Sequence, residues 1–199
     1  MKNCVLKNKI KQAVTDEKGI TLVELLIVLA LLGIVIGGAY QYYFYGYNSW
    51  VRSLVESEMI QDARLTAIRM DGEVRQAEKA VEGKEPVVLG ADKKTISIYT
   101  RSDNEAHPKL ITYRLKNGNL ERGVSLPTND AYPYQYEAEP SQWEAVISNV
   151  EDKSIFSVPG GGGPGGYERG IINLDLRIVP QEPVKPFNIQ AVLTVRGRG

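Results

Sequence analysis

The spacing of apolar positions divides the chain into three regimes. Residues 20–39 are a continuous apolar run whose only ionisable side chain is Glu24. As a helix, that run spans about 30 Å, the thickness of a hydrocarbon core. A carboxylate inside such a core costs about 2.5–3.5 kcal/mol, so Glu24 calls for a partner. The second regime has helical spacing. Val51, Val55, Met59, Ala63, Ala67, Met70, Val74, Ala77 and Val81 form one stripe, with Arg52, Glu56, Asp62 and Arg69 among the residues on the other faces. No proline interrupts residues 20–85, so the pattern predicts one helix of about 60 residues that ends at Pro86, with Gly83 as its C-cap. The glycines at 33, 37, 38 and 46 either let this helix bend or allow close helix contact.

From Pro86 onward the period is two. Thr95 to Tyr99 alternate, as do Ile111, Tyr113 and Leu115. Asn117-Gly118 is a type I′ hairpin signal leading into Asn119 to Arg122. Leu174, Leu176 and Ile178 define another strand, and Ile189, Ala191, Leu193 and Val195 a last one. These are half-buried antiparallel strands. Their apolar faces need a cover, and the stripe at 51–81 supplies one. The expected fold class is α+β: a long N-terminal helix, transmembrane in its first half, packed by its second half on a C-terminal antiparallel sheet. The expected segments are 1–19, 20–48 (membrane half and aromatic interface), 49–85 (amphipathic half) and 86–199 (β-rich domain).

The joints between these regimes have their own chemistry. Residues 40–50 hold five tyrosines, Phe44 and Trp50, rings that settle at a water–lipid interface. Residues 126–140 contain Pro127, Pro133, Pro140 and Tyr132, Tyr134 and Tyr136, and read either as a packed loop or as a contact surface. The glycine-rich stretch 159–166 reads as a mobile loop between strands. It lacks the Lys-Ser/Thr of a phosphate-binding loop.

Charge orients the chain. Residues 1–19 carry five lysines against Asp16 and Glu17, an excess of three positive charges ahead of the apolar run. That asymmetry keeps the N-terminus in the cytoplasm and sends the C-terminal domain outward. The whole chain has 24 basic and 24 acidic residues, so residues 20–199 are mildly acidic and give no support to nucleic-acid binding. The one cysteine, Cys4, precedes the apolar run, which leaves no disulfide for the rest of the chain.

Gly19, an apolar residue after it, Thr21, Leu22, Glu24 and Leu25-Leu26 together resemble the processing and methylation motif of type IV prepilins and pseudopilins. The resemblance implies that residues 1–19 are a leader removed by prepilin peptidase between Gly19 and Ile20, and that Ile20 is then N-methylated. The family's commonest first mature residue is Phe, and here it is Ile. Glu24, at the fifth mature position, would pair with the N-terminal amine of a neighbouring subunit. Asp62-Ala63-Arg64, Asp71 to Ala77, Tyr113-Arg114-Leu115, Val146 to Val150 and Val195-Arg196-Gly197 are similar to the J-type pseudopilins of type II secretion and the PilW-like minor pilins. The implied function is a minor, non-enzymatic subunit of the inner membrane that joins the tip of a pilus or pseudopilus. Its implied partners are prepilin peptidase, other pilin or pseudopilin subunits met through the N-terminal helix, an inner-membrane assembly platform and membrane lipid. Two rival classes are a secreted binding protein cut near Ala39 by signal peptidase, and an unprocessed single-pass membrane protein with an external sensory domain.

No catalytic residue, cofactor site or metal site emerges from the sequence. His107 sits alone beside Pro108, and residues 102–105 (Ser-Asp-Asn-Glu) supply oxygen ligands without a complete calcium spacing.

Overall fold

The structure is a computed structural model and describes residues 20–101, 105–160, 165–167, 169–180 and 184–196. It divides into two units, Met1–Trp50 and Val51–Gly199. Helix α1 (Leu22–Arg75, 54 residues) contributes to both. In the first unit every described residue is exposed, including the apolar side chains from Ile20 to Ile36. The expected leader, Gly19 and Cys4 lie outside the described residues.

In the second unit nine strands are described: β1 (Val87–Leu89), β2 (Thr95–Thr100), β3 (Lys109–Lys116), β4 (Asn119–Ser125), β5 (Trp143–Ile147), β6 (Phe156–Ser157), β7 (Gly165–Tyr167), β8 (Arg169–Ile178) and β9 (Phe187–Arg196). They form a six-stranded sheet in the order β5-β4-β3-β2-β1-β7 and a three-stranded sheet in the order β6-β8-β9, with antiparallel pairing throughout. The β3–β4 hairpin turns at Asn117 (φ 51°) and Gly118 (φ 74°), the paired positive values that a type I′ turn demands. Alternation then sorts the faces. Ile96, Ile98, Ile111, Tyr113 and Leu120 of the large sheet share one core with Ile172, Leu174, Leu176, Ile178 and Leu193 of the small one.

The C-terminal part of α1 covers this core through Ala63, Thr66, Ala67, Met70 and Val74. The cover is shorter than the apolar stripe suggested. At the start of the stripe Val55 is 37% exposed, and at its end the helix stops at Arg75, ten residues before Glu85. The reason is competition from β2. The Glu78 N–H donates to the Tyr99 carbonyl (2.8 Å), Thr100 Oγ1 donates to the Gln76 carbonyl (3.3 Å), and Ala77 bridges Thr100. Ala77 is therefore fully buried as a strand-like residue, although its spacing matched the helix. Gly83 has φ 73° but serves a turn after the helix, with the Lys84 N–H on the Val81 carbonyl, and is not a helix cap.

Two further expectations change. Gly165 and Gly166 belong to β7, antiparallel to β1, so the glycine-rich stretch is not wholly loop. A Cβ on Gly166 would meet the Glu85 side chain at 2.6 Å, and this close approach is what the glycine allows. Residues 126–140 fold back over the outer face of the large sheet. Tyr134 and Tyr136 pack there against Ala80, Tyr99 and Leu110, while Tyr132 stays exposed, so most of this segment is a packed loop.

Candidate functional site

The N-terminal end of α1 begins at a built cap. Thr21 lies just outside the helix. Its Oγ1 accepts the Glu24 backbone N–H at 3.2 Å, and its carbonyl accepts the Leu25 N–H at 3.1 Å. Thr21 is thus the N-cap and Glu24 the third helical position, the Thr-x-x-Glu arrangement of a capping box. The carboxylate stands in the first turn, where the helix dipole favours negative charge. Glu24 therefore has a place in a helix cap beside the assembly role expected of it, and the three-residue spacing to Thr21 is the sequence signal for that cap.

Beyond the cap, α1 is long and apolar enough to cross a membrane. It remains helical through Gly33, Gly37, Gly38 and Gly46, and a Cβ at any of them would touch nothing within 4 Å in this chain. Crowding inside one chain therefore does not account for these glycines. The aromatic cluster that follows forms a ladder along the helix. Tyr40 and Phe44 stand 4.6 Å apart by ring centroid, Tyr43 and Tyr47 6.4 Å, and Tyr47 and Trp50 6.3 Å. Spacings of three and four place these rings along neighbouring tracks of the helix surface.

In the second unit α1 is fixed by a polar bolt that the sequence did not announce. Tyr113 Oη donates to Glu73 Oε2 at 2.7 Å, and Arg122 Nη2 donates to Glu73 Oε1 at 2.7 Å. Burial, reinforced by the Glu73 charge, pushes the Tyr113 phenol well above its ordinary range. Burial disfavours the Arg122 charge, but the Glu73 hydrogen bond and charge outweigh it and raise the guanidinium's pKa. Both donors thus keep their protons. Two residues earlier, on another face of the helix, Asp71 Oδ1 accepts the Thr194 backbone N–H of β9 at 3.1 Å. Glu73 ties the helix to the large sheet and Asp71 ties it to the small one.

Elsewhere, no group of three or more His, Cys, Asp or Glu among the described residues is placed to hold a metal ion. Residues 102–104 lie outside the described residues, and neighbouring Glu105 receives Lys109 Nζ at 2.6 Å. His107 Nε2 is 4.0 Å from Asp130 Oδ1, and its ring lies 5.8 Å from that of Tyr134.

Residues 15–40 match the prokaryotic N-terminal methylation motif. The motif is a type IV pilin-like prepilin signal, and it takes in Gly19, Ile20, Thr21 and Glu24 together with the first part of the apolar run. It supports a processed subunit of the type IV pilin or pseudopilin kind, a structural class of protein, and with α1 it points to anchoring in a membrane. Comparison with curated proteins and with solved structures finds no match.

Proposed function

We propose that this chain is a minor pilin or pseudopilin, a non-enzymatic subunit that prepilin peptidase cleaves between Gly19 and Ile20 and N-methylates at Ile20. It inserts in the inner membrane through residues 20–48, with its C-terminal domain outside. It then co-assembles with other pilin or pseudopilin subunits at the tip of a type IV pilus or type II secretion pseudopilus. Glu24 pairs there with the Ile20 amine of a neighbour. Within the family it stands nearest the J-type pseudopilins and PilW-like minor pilins.

The observation that carries this reading is the methylation motif at 15–40 directly on the start of an exposed apolar helix. An apolar surface of that length is unstable in water, and membrane or other helices would cover it. The α+β arrangement of the second unit agrees with a subunit whose helix is both stem and core element. Mass spectrometry of the mature protein tests the proposal. The expected N-terminus is methylated Ile20, and Gly19→Ala slows its appearance. A mature chain that starts beyond Ala39, or one that retains Met1 in cells with active prepilin peptidase, overturns the reading.

A further inference from the structure

The outer face of the large sheet carries a cleft that the assembly reading leaves unused. Its floor is set by register. Thr95 stands opposite Arg114, Ser97 opposite Thr112, and Tyr99 opposite Leu110, so the face runs from charge through hydroxyls to an aromatic end. Residues 126–140 fold back along it as a preformed wall. The Thr128 N–H donates to the Gln135 carbonyl (2.8 Å), the Gln135 N–H to Asn129 Oδ1 (2.7 Å), and the Tyr134 N–H to the Ala80 carbonyl (2.9 Å). Tyr136 Oη reaches the Pro108 carbonyl at 2.9 Å, and its ring lies 5.4 Å from that of Tyr99. At the far end Pro140 and Trp143 close onto Gly123, where a Cβ would meet Pro140 at 2.5 Å. Between this wall and the segment around Glu85 and Val88 a space of about 950 Å³ remains open.

We infer that this cleft binds a neutral oligosaccharide. The volume is that of a small-molecule site. Aromatic side chains at Tyr134 and Tyr136 offer apolar surface to the C–H faces of sugar rings. Ser97 and Thr112, 3.4 Å apart, share one hydrogen bond, and each hydroxyl keeps further donor or acceptor capacity for a ligand hydroxyl. Arg114 is already stacked on Trp143 (3.5 Å) and held by Glu121 (2.8 Å), so it is a positioned donor rather than an open anion trap. The other charges on the cleft reinforce this. Arg114 is also 3.5 Å from Glu139, and Glu85 and Glu137 stand in the same lining, so little uncompensated positive charge is offered to a phosphate or nucleotide. On the floor, β1, β2 and β3 are each paired on both sides, so strand addition is confined to the edge strands β5 and β7 at the cleft's ends. Recognition over the floor comes from side chains, and the side chains present match a polyhydroxylated, uncharged ligand.

The test uses the full-length chain in a non-glycosidic detergent. It is titrated with tetrasaccharides of β-1,4-glucose, β-1,4-N-acetylglucosamine and α-1,4-glucose, and in parallel with a pool of neutral and basic decapeptides. Saturation-transfer NMR and calorimetry read binding. At least one tetrasaccharide should bind saturably. The paired change Ser97→Ala with Thr112→Val should weaken it about tenfold or more, the scale expected for lost buried hydrogen bonds, with the melting temperature held. Absence of saturable binding by all three sugars overturns the inference. So does binding that ignores the Ser97/Thr112 change, or saturable binding by the peptides alone.

Discussion

Deleting the helical cover should abolish the fold of the second unit. Residues 49–199 keep the buried face of α1, whereas residues 76–199 lose it. The magnitude follows from what the face does. Met70 and Val74 are fully buried, and burying side chains of that size contributes about 1.5–3 kcal/mol each. Their removal also opens the core they share with the strand residues, among them Ile96, Ile98 and Ile111, all at 0% exposure. Several hundred Å² at ~25 cal/mol per Å² brings the loss to the order of 10 kcal/mol. Loss of Glu73 adds to it, because Arg122 then keeps a charge at 8% exposure without its acceptor. A domain of this size has about 5–15 kcal/mol in total. The longer fragment should therefore be soluble, show dispersed NMR signals and melt cooperatively, and the shorter one should be molten or aggregate. Dispersed signals and a cooperative melt from residues 76–199 would falsify the assignment of α1 as the lid of this core.

The polar bolt and the buried phenols give two further predictions. Glu73→Ala should cost about 3–5 kcal/mol in urea unfolding, because it strands Arg122 and Tyr113 together, and Glu73→Gln, which keeps an acceptor for one of them, should cost clearly less; equal losses would refute a charge-dependent bolt. Tyr113 and Tyr136 are both raised above the ordinary value of 10.0, so the folded state favours the protonated phenols. Stability should be unaffected by them below that value and fall above it as the unfolded chain ionises, by about 1.4 kcal/mol per pH unit for each phenol that stays protonated in the folded state. Tyr113→Phe should remove about half of that alkaline slope, and an unchanged slope would show that other groups cause it.

Elements with a strong local pattern were legible in the sequence. The β3–β4 hairpin was read from Asn117-Gly118 and alternation, and β8 and β9 from alternation alone, because each pattern repeats for long enough to exclude the other period. The short strands β1, β6 and β7 were not legible. Two or three residues cannot display a period, and Gly165 and Gly166 are composed like a linker. They are strand only because Val88 and Leu89 stand opposite them. The end of α1 was misplaced for a related reason. Ala77 is apolar at helical spacing, yet what fixes it and Glu78 is the backbone of β2, a partner more than 20 residues away in sequence. At the candidate site, the apolar run and Glu24 were plain, and the capping geometry could have been read from Thr21 and its spacing. The Glu73–Tyr113–Arg122 bolt could not have been, since nothing local distinguishes those three from surface polar residues.

The cap at Thr21 sharpens what a change at Glu24 can reveal. The hydrogen bond in the structure runs from the Glu24 backbone N–H to Thr21, so Glu24→Ala leaves it in place. The carboxylate itself contributes about 0.3–1 kcal/mol through the helix dipole, too little to decide whether a long apolar helix forms. In a membrane its removal favours insertion by about 2.5–3.5 kcal/mol. Processing and insertion of Glu24→Ala should therefore be intact. Cleavage after Gly19 would create an ammonium one residue before the cap, at the positive end of the helix. Its neutralisation by a carboxylate is then worth more than the cap, and a neighbouring subunit can exploit it for register. If charge pairing sets assembly, Glu24→Ala and the isosteric but neutral Glu24→Gln should both fail to enter fibres, while Thr21→Val, which removes the cap and keeps the charge, should still enter. Sheared fibre fractions probed for each variant give the answer. If Thr21→Val fails as badly as Glu24→Ala while Glu24→Gln assembles, the carboxylate is acting as part of a helix cap and the proposed pairing with a neighbour's amine is wrong.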